Sequence, residues 1–106
     1  MAERLDSALK ARLRAVLGDR PVTEAELRNL FEESEACALI LRGQLEREER
    51  RLAELASEPA SDFADLAGAL RRVGELRPDL RELNELLEAL RARAREFRAA
   101  WVAAPR

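Results

Sequence analysis

The sequence contains no histidine and no tyrosine, and it has one cysteine, Cys37. Without histidine the chain lacks the commonest general base of enzymes, and it has almost no ligands from which to build a zinc site. A single cysteine cannot form a disulfide within the chain, which favours a reducing, cytoplasmic location. We therefore predict no catalytic residues, no metal site and no cofactor, and we interpret Cys37 as a small hydrophobic side chain of the core.

Residues that favour β-strands are almost as scarce. Valine, isoleucine and threonine occur only at Val16, Val22, Thr23, Ile40, Val73 and Val102. The apolar run at residues 36–41 is far too short to cross a bilayer, and no run in the chain is longer. The first residues are charged and do not form the apolar stretch of a secretory signal. The sequence therefore predicts an all-α protein without a membrane span.

Leucine, alanine and charged side chains fill the chain instead. Hydrophobic residues make up 47% of the 106 residues and charged residues 38%, which fits one helical domain over residues 1–106. The net charge of −2 provides no overall attraction to nucleic acid. Arginine outnumbers lysine 18 to 1, a bias typical of GC-rich bacterial genomes, so we expect a bacterial protein.

Four helical segments are predicted, at about residues 2–17, 24–57, 62–76 and 78–103. Gly18 ends the first segment as a C-terminal cap. Thr23 and Glu26 have the spacing of a capping box, which opens the long second segment. Ser61 or Asp62 caps the third segment after a loop that contains a proline.

Pro78 predicts a corner between the third and fourth segments, because its ring would clash with the carbonyl of residue 74 in a straight helix. Whether the two segments form one kinked helix or two helices stays open. The third segment has an apolar seam at Phe63, Leu66, Leu70 and Val73. The fourth has one at Leu80, Leu83, Leu87, Leu90, Ala94, Phe97 and Trp101.

The second segment carries the most regular pattern, with inward positions spaced alternately by four and three residues, as in a coiled coil. This seam consists of Leu27, Phe31, Ser34, Ala38, Leu41, Leu45, Glu48, Leu52 and Leu55. Leu30, Cys37 and Ile40 widen its first half, whereas the second half is narrow. We therefore predict an antiparallel bundle of three to four helices that covers the first half of the long helix better than the second.

The second half of the long second segment is less covered by other helices, which predicts a contact with a protein partner there. We expect this partner to be a second copy of the chain, in a homodimer. The residues predicted to form this interface are Leu45, Glu48, Leu52, Leu55, Phe97 and Trp101. Glu48 either reaches water or forms a salt bridge that sets the helix register. Trp101 either covers the end of the core or anchors a partner.

The end of the chain is basic, since residues 91–106 hold five arginines against one glutamate. A candidate basic patch comprises Arg91, Arg93, Arg95 and Arg98. Nearby glutamates reduce the positive charge of this patch, and it contains no aromatic side chains on which bases could stack. The preferred function is a non-enzymatic helical protein–protein interaction module, such as an adaptor, an oligomerisation domain or a chaperone-like helix binder. Nucleic-acid regulation through the basic patch ranks second, and a small-ligand binder or enzyme third.

Overall fold

A computed structural model describes residues 2–18 and 21–103, with side chains from residue 7 onwards. Within these ranges the chain forms three α-helices and no strand. Helix α1 comprises Ala2–Leu17, α2 comprises Glu24–Ser57 and α3 comprises Phe63–Ala103. The predicted all-α bundle is therefore confirmed, with a long second helix and three helices in all over the described residues.

Local capping groups determine where α2 and α3 begin. The Glu26 amide donates a hydrogen bond to Thr23 Oγ1 at 3.1 Å, as the capping box predicts. The Ala64 amide donates to an Asp62 side-chain oxygen at 2.8 Å, so Asp62 is the residue that caps α3. Gly18 follows α1 and its amide donates to the Arg14 carbonyl, but its φ is not positive. The expected left-handed cap at this glycine is therefore not adopted.

The described chain divides into two compact units. The three-helix unit joins Met1–Cys37 to Leu83–Arg106, and the hairpin unit is Ala38–Glu82. In the three-helix unit, α1 packs with the first part of α2 and the last part of α3. Its buried side chains are Leu9, Leu13, Val16, Leu27, Leu30, Leu83, Leu87 and Leu90, with the polar Lys10 and Ser34.

The hairpin unit has only two helical arms, joined by a short loop. Its buried side chains are Ala38, Leu41, Ala69, Val73 and Leu80. Two helices can bury only the faces that they turn towards each other, so the remaining apolar side chains of this unit are partly or largely exposed. Ile40, expected to widen the buried stripe of α2, is 61% exposed for this reason.

The two segments predicted on either side of Pro78 form one helix, because α3 continues through this residue. The corner at Pro78 stays a prediction. Pro78 cannot donate a hydrogen bond to the Gly74 carbonyl, and both residues lie on the exposed side of the helix. The carbonyl of Gly74 can therefore bond to water. Of the two alternatives, one helix or two helices around Pro78, the structure shows one helix that contains a proline.

The seam predicted for the start of α3 is also partly wrong. Phe63 is 81% exposed and Leu70 is 59% exposed, whereas Ala69 is fully buried. The buried and half-buried positions run through Leu66, Ala69, Val73, Leu76, Leu80, Leu83, Leu87, Leu90, Ala94 and Phe97. Their spacing alternates between three and four without interruption at Pro78, so a single pattern governs the inward face of the whole helix.

Candidate functional site

A surface groove of about 330 Å³ lies in the three-helix unit, between the start of α2 and the end of α3. We call it the arginine groove. Its lining residues are Glu24, Leu27, Arg28, Phe31, Leu90, Arg91, Ala94, Arg95, Phe97 and Arg98. The four residues from α2 follow the i, i+3, i+4, i+7 pattern, so they form one stripe of that helix. None of the described residues of α1 contributes to the lining.

The groove has an apolar floor and a basic rim. Leucine, alanine and phenylalanine side chains from both helices form the floor. Four arginines and one glutamate line the rim, so its formal charge is +3, in contrast to the net charge of −2 for the chain. The lining therefore combines an apolar floor with an excess of arginine, although Glu35 and Glu88, which pair with Arg91, offset part of that charge.

The four arginines differ in their partners. Arg28 pairs with Glu24 at 3.5 Å, one turn away on α2. The Arg91 guanidinium pairs with Glu88 and with Glu35, at 3.6 Å from the latter, and it lies 5.2 Å from the ring centroid of Phe31.

Arg95 and Arg98 are exposed, and neither forms an ion pair with any described residue. They are also neighbours on α3 at an i, i+3 spacing, where like charges repel. An anionic group in the groove would relieve this repulsion.

The structure thus separates the predicted basic patch into two parts. Arg91, Arg95 and Arg98 share the groove side of α3, because their positions are one and two helical turns apart. Arg93 points away from them and is half-buried, and its Nε has no hydrogen-bond partner among the described residues. Sequence reasoning missed the contribution of α2 to this site, although an antiparallel alignment of the α2 and α3 seams would have brought Phe31 next to Arg91.

The interface residues predicted on α2 lie in the hairpin unit. Leu45, Leu52 and Leu55 are half-buried, because each faces a single neighbouring helix. Glu48 accepts a hydrogen bond from Arg72 Nε at 2.9 Å, with 24% of its side chain exposed. This pair selects the salt-bridge alternative for Glu48. A second pair, between Arg77 and Glu49 at 2.6 Å, joins the same two helical arms.

The two aromatic residues of the predicted interface lie in the three-helix unit, one turn apart on α3. Phe97 is half-buried in the arginine groove, whereas Trp101 is 66% exposed. Trp101 is therefore not a core residue. It follows the groove residues Phe97 and Arg98 by four and three positions, so it continues the same face of α3 towards its end.

A second apolar surface lies on the outer side of the hairpin unit, and it includes Phe63 and Leu70, which were predicted to belong to the inward seam. We call it the outer stripe, and it consists of Phe63, Ala67, Leu70 and Gly74. These residues follow i, i+4, i+7 and i+11 positions, so they share one face of α3. The large exposed fractions of Phe63 and Leu70 show that neither helical arm of the unit covers this face.

Three buried or half-buried groups could suggest other chemistry. Lys10 is only 5% exposed, and the fully buried Ser34 hydroxyl has no hydrogen-bond partner among the described residues. Cys37 is a half-buried free thiol in the middle of α2. None of the three lines the arginine groove. Over the described ranges, no three histidine, cysteine or carboxylate side chains come close enough together to hold a metal ion.

Comparisons of the chain with protein-family models, curated proteins and solved structures find no match. In the part of the chain that the structure describes, no helix has both the length and the apolar composition that a membrane crossing needs. The geometry of the arginine groove and the outer stripe is therefore the basis for a functional interpretation.

Proposed function

We propose that this protein is a non-enzymatic helical interaction module that associates with itself through the hairpin unit. The observation that carries the proposal is the outer stripe, where two large apolar side chains on one face of α3 are mostly exposed. Isolated exposed apolar residues are common on protein surfaces, but side chains that recur at helical spacing form a continuous contact surface. A helical hairpin with an uncovered face completes its core when a second hairpin packs on that face.

The expected strength of this association follows from the two side chains. Full burial of Phe63 or Leu70 contributes about 1.5–3 kcal/mol each. Two copies would together gain at most about 6–12 kcal/mol, against an association cost of about 4–15 kcal/mol. The half-exposed Leu52 and Leu55 on α2 add a smaller amount if they reach the same interface. We therefore expect a homodimer whose population depends on protein concentration.

Light scattering over a concentration series tests this proposal. The wild-type chain should change from the mass of a monomer towards that of a dimer as its concentration rises. Phe63→Glu and Leu70→Glu should each shift the protein to the monomer, because each places a charge in the contact. Ala64→Glu is the matched control, since it adds the same charge at an exposed position one residue outside the stripe.

Circular dichroism of all four proteins establishes that the helices remain intact. A wild-type monomer at every concentration would refute self-association. A dimer that tolerates both stripe substitutions would refute the outer stripe as the contact.

A further inference from the structure

We propose that the arginine groove is the binding site for an acidic amphipathic helix of a partner protein. This inference deepens the proposed interaction role and names a partner class. It uses a surface in the three-helix unit, whereas self-association uses the outer stripe of the hairpin unit.

The shape of the groove favours a helix as the occupant. Its lining spans residues 24 to 31 on α2 and 90 to 98 on α3, two turns of each helix, or roughly 10–12 Å at 1.5 Å per residue. Two adjacent antiparallel helices form a channel into which the apolar stripe of a third helix can pack. A docked helix would place apolar side chains at i, i+3 or i+4, and i+7 on the floor formed by Leu27, Phe31, Ala94 and Phe97.

The charge of the rim selects the composition of that helix. Arg95 and Arg98 have no ion-pair partner among the described residues and lie next to each other on the rim. Glutamate or aspartate side chains flanking the apolar stripe of the occupant would reach them, with bidentate geometry available to each guanidinium. Lysine or arginine in the same flanking positions would meet Arg95 and Arg98 and be repelled.

The other arginines position the walls of the site. Arg91 lies over Phe31 and pairs with Glu35, so it connects the two helices that form the groove. Arg28 is held by Glu24 on the α2 side. These contacts preorganise the walls before a partner arrives, which lowers the ordering cost of binding.

Trp101 supplies a reporter for the site. It is the single tryptophan of the chain, it is mostly exposed, and it lies one turn beyond Phe97 on the same face of α3. A helix that extends past the end of the groove would shield its indole from water. Its fluorescence emission should then shift to shorter wavelength.

The test uses a fluorescently labelled synthetic helical peptide of about 16 residues, long enough to span the groove with a turn at each end. Leucines at i, i+3, i+4 and i+7 form its apolar stripe, and glutamates flank them. A second peptide carries lysine in place of every glutamate. Fluorescence anisotropy measures the affinity of each peptide for the full chain, and Trp101 emission is recorded in parallel.

We expect the glutamate peptide to bind and the lysine peptide to bind at least about tenfold more weakly. The double variant Arg95→Glu with Arg98→Glu should weaken the glutamate peptide by at least about tenfold and improve the lysine peptide. The double variant Arg95→Lys with Arg98→Lys should retain most of the binding, because it keeps the rim charge. The matched control is Arg71→Glu with Arg81→Glu, which reverses two exposed arginines of α3 outside the groove.

Several results would overturn the proposal. These are equal binding of the two peptides, binding that survives the Arg95 and Arg98 reversal, or an equal loss in the Arg71 and Arg81 control. Tighter binding of duplex DNA or of phosphatidylglycerol vesicles than of the glutamate peptide would assign the rim to a nucleic acid or a membrane surface instead. A change in the mass of the protein alone on Arg95 and Arg98 reversal would assign the groove to a second copy of the chain.

The two proposals fail independently. Loss of dimer in the Phe63 and Leu70 variants with unchanged peptide binding supports both surfaces as separate sites. Absence of a wild-type dimer refutes self-association but leaves the peptide titration fully informative about the groove.

Discussion

Replacement of Pro78 by alanine tests the continuity of α3 most directly. The substitution supplies an amide donor that can bond to the Gly74 carbonyl, in the middle of a helix of 41 residues. Proline in a helix interior costs about 3 kcal/mol relative to alanine. Part of that cost is already relieved here, because Pro78 and Gly74 are both exposed and water can satisfy the carbonyl. Alanine also gains about 0.4–1 kcal/mol of unfolded-state entropy, which opposes the stabilisation.

The expected net effect of Pro78→Ala is a rise of about 1–2 kcal/mol in the free energy of unfolding. Urea denaturation followed by circular dichroism at the helical band measures it. Gly74→Ala is the companion variant, since an added Cβ there meets nothing within 4 Å. It should stabilise the protein by about 0.5–1 kcal/mol through helix propensity alone.

A neutral or destabilising effect of Pro78→Ala, together with stabilisation by Gly74→Ala, would refute the reasoning. That result would mean that the protein needs a break at position 78. Loss of stability in both variants would mean that the surroundings of residues 74 and 78 are not exposed as the structure has them.

Two further substitutions test the packing. Leu83→Ala removes a fully buried side chain of the three-helix unit and should lower the free energy of unfolding by about 2–5 kcal/mol, measured by urea denaturation; a loss below about 1 kcal/mol would contradict its burial. A double-mutant cycle of Glu48→Ala and Arg72→Ala should give a coupling energy of about 0.2–1 kcal/mol, small because Arg72 is 48% exposed. A coupling of zero at low salt would show that the pair does not help to define the register of the hairpin.

The outlines of α1 and α2 could be derived from the sequence alone. The boundaries at Leu17, Glu24 and Ser57 follow from local signals, because capping boxes, loop prolines and the scarcity of β-branched residues act over a few neighbouring residues. The inward face of α2 was equally accessible. Its spacing alternates between four and three, and the narrower second half of the seam correctly indicated weaker coverage. Ile40, which was expected to lie beside the buried seam, is nevertheless exposed.

The register of α3 was decided by tertiary packing. Two inward patterns both contain Leu66 and Val73. One passes through Leu70 and the other through Ala69, and the pattern with Leu70 is the more apolar one in the sequence. The structure uses Ala69, because that phase continues through position 76 into the leucines of the second half of the helix. A small residue at this position also lets the two helical arms approach closely. Leu70 is thereby left on the outer stripe.

The candidate sites depend even more on the tertiary structure. A sequence shows that Glu48 interrupts an apolar seam, but only the pairing of two helical arms shows that Arg72 stands opposite it. Likewise, the arginines near the end of the chain suggest a basic patch, but which of them share a face with Phe31 depends on how α2 lies against α3. Helix formation depends on local interactions within a few turns. The groove and the outer stripe depend on contacts between residues far apart in the chain, which local propensity does not encode.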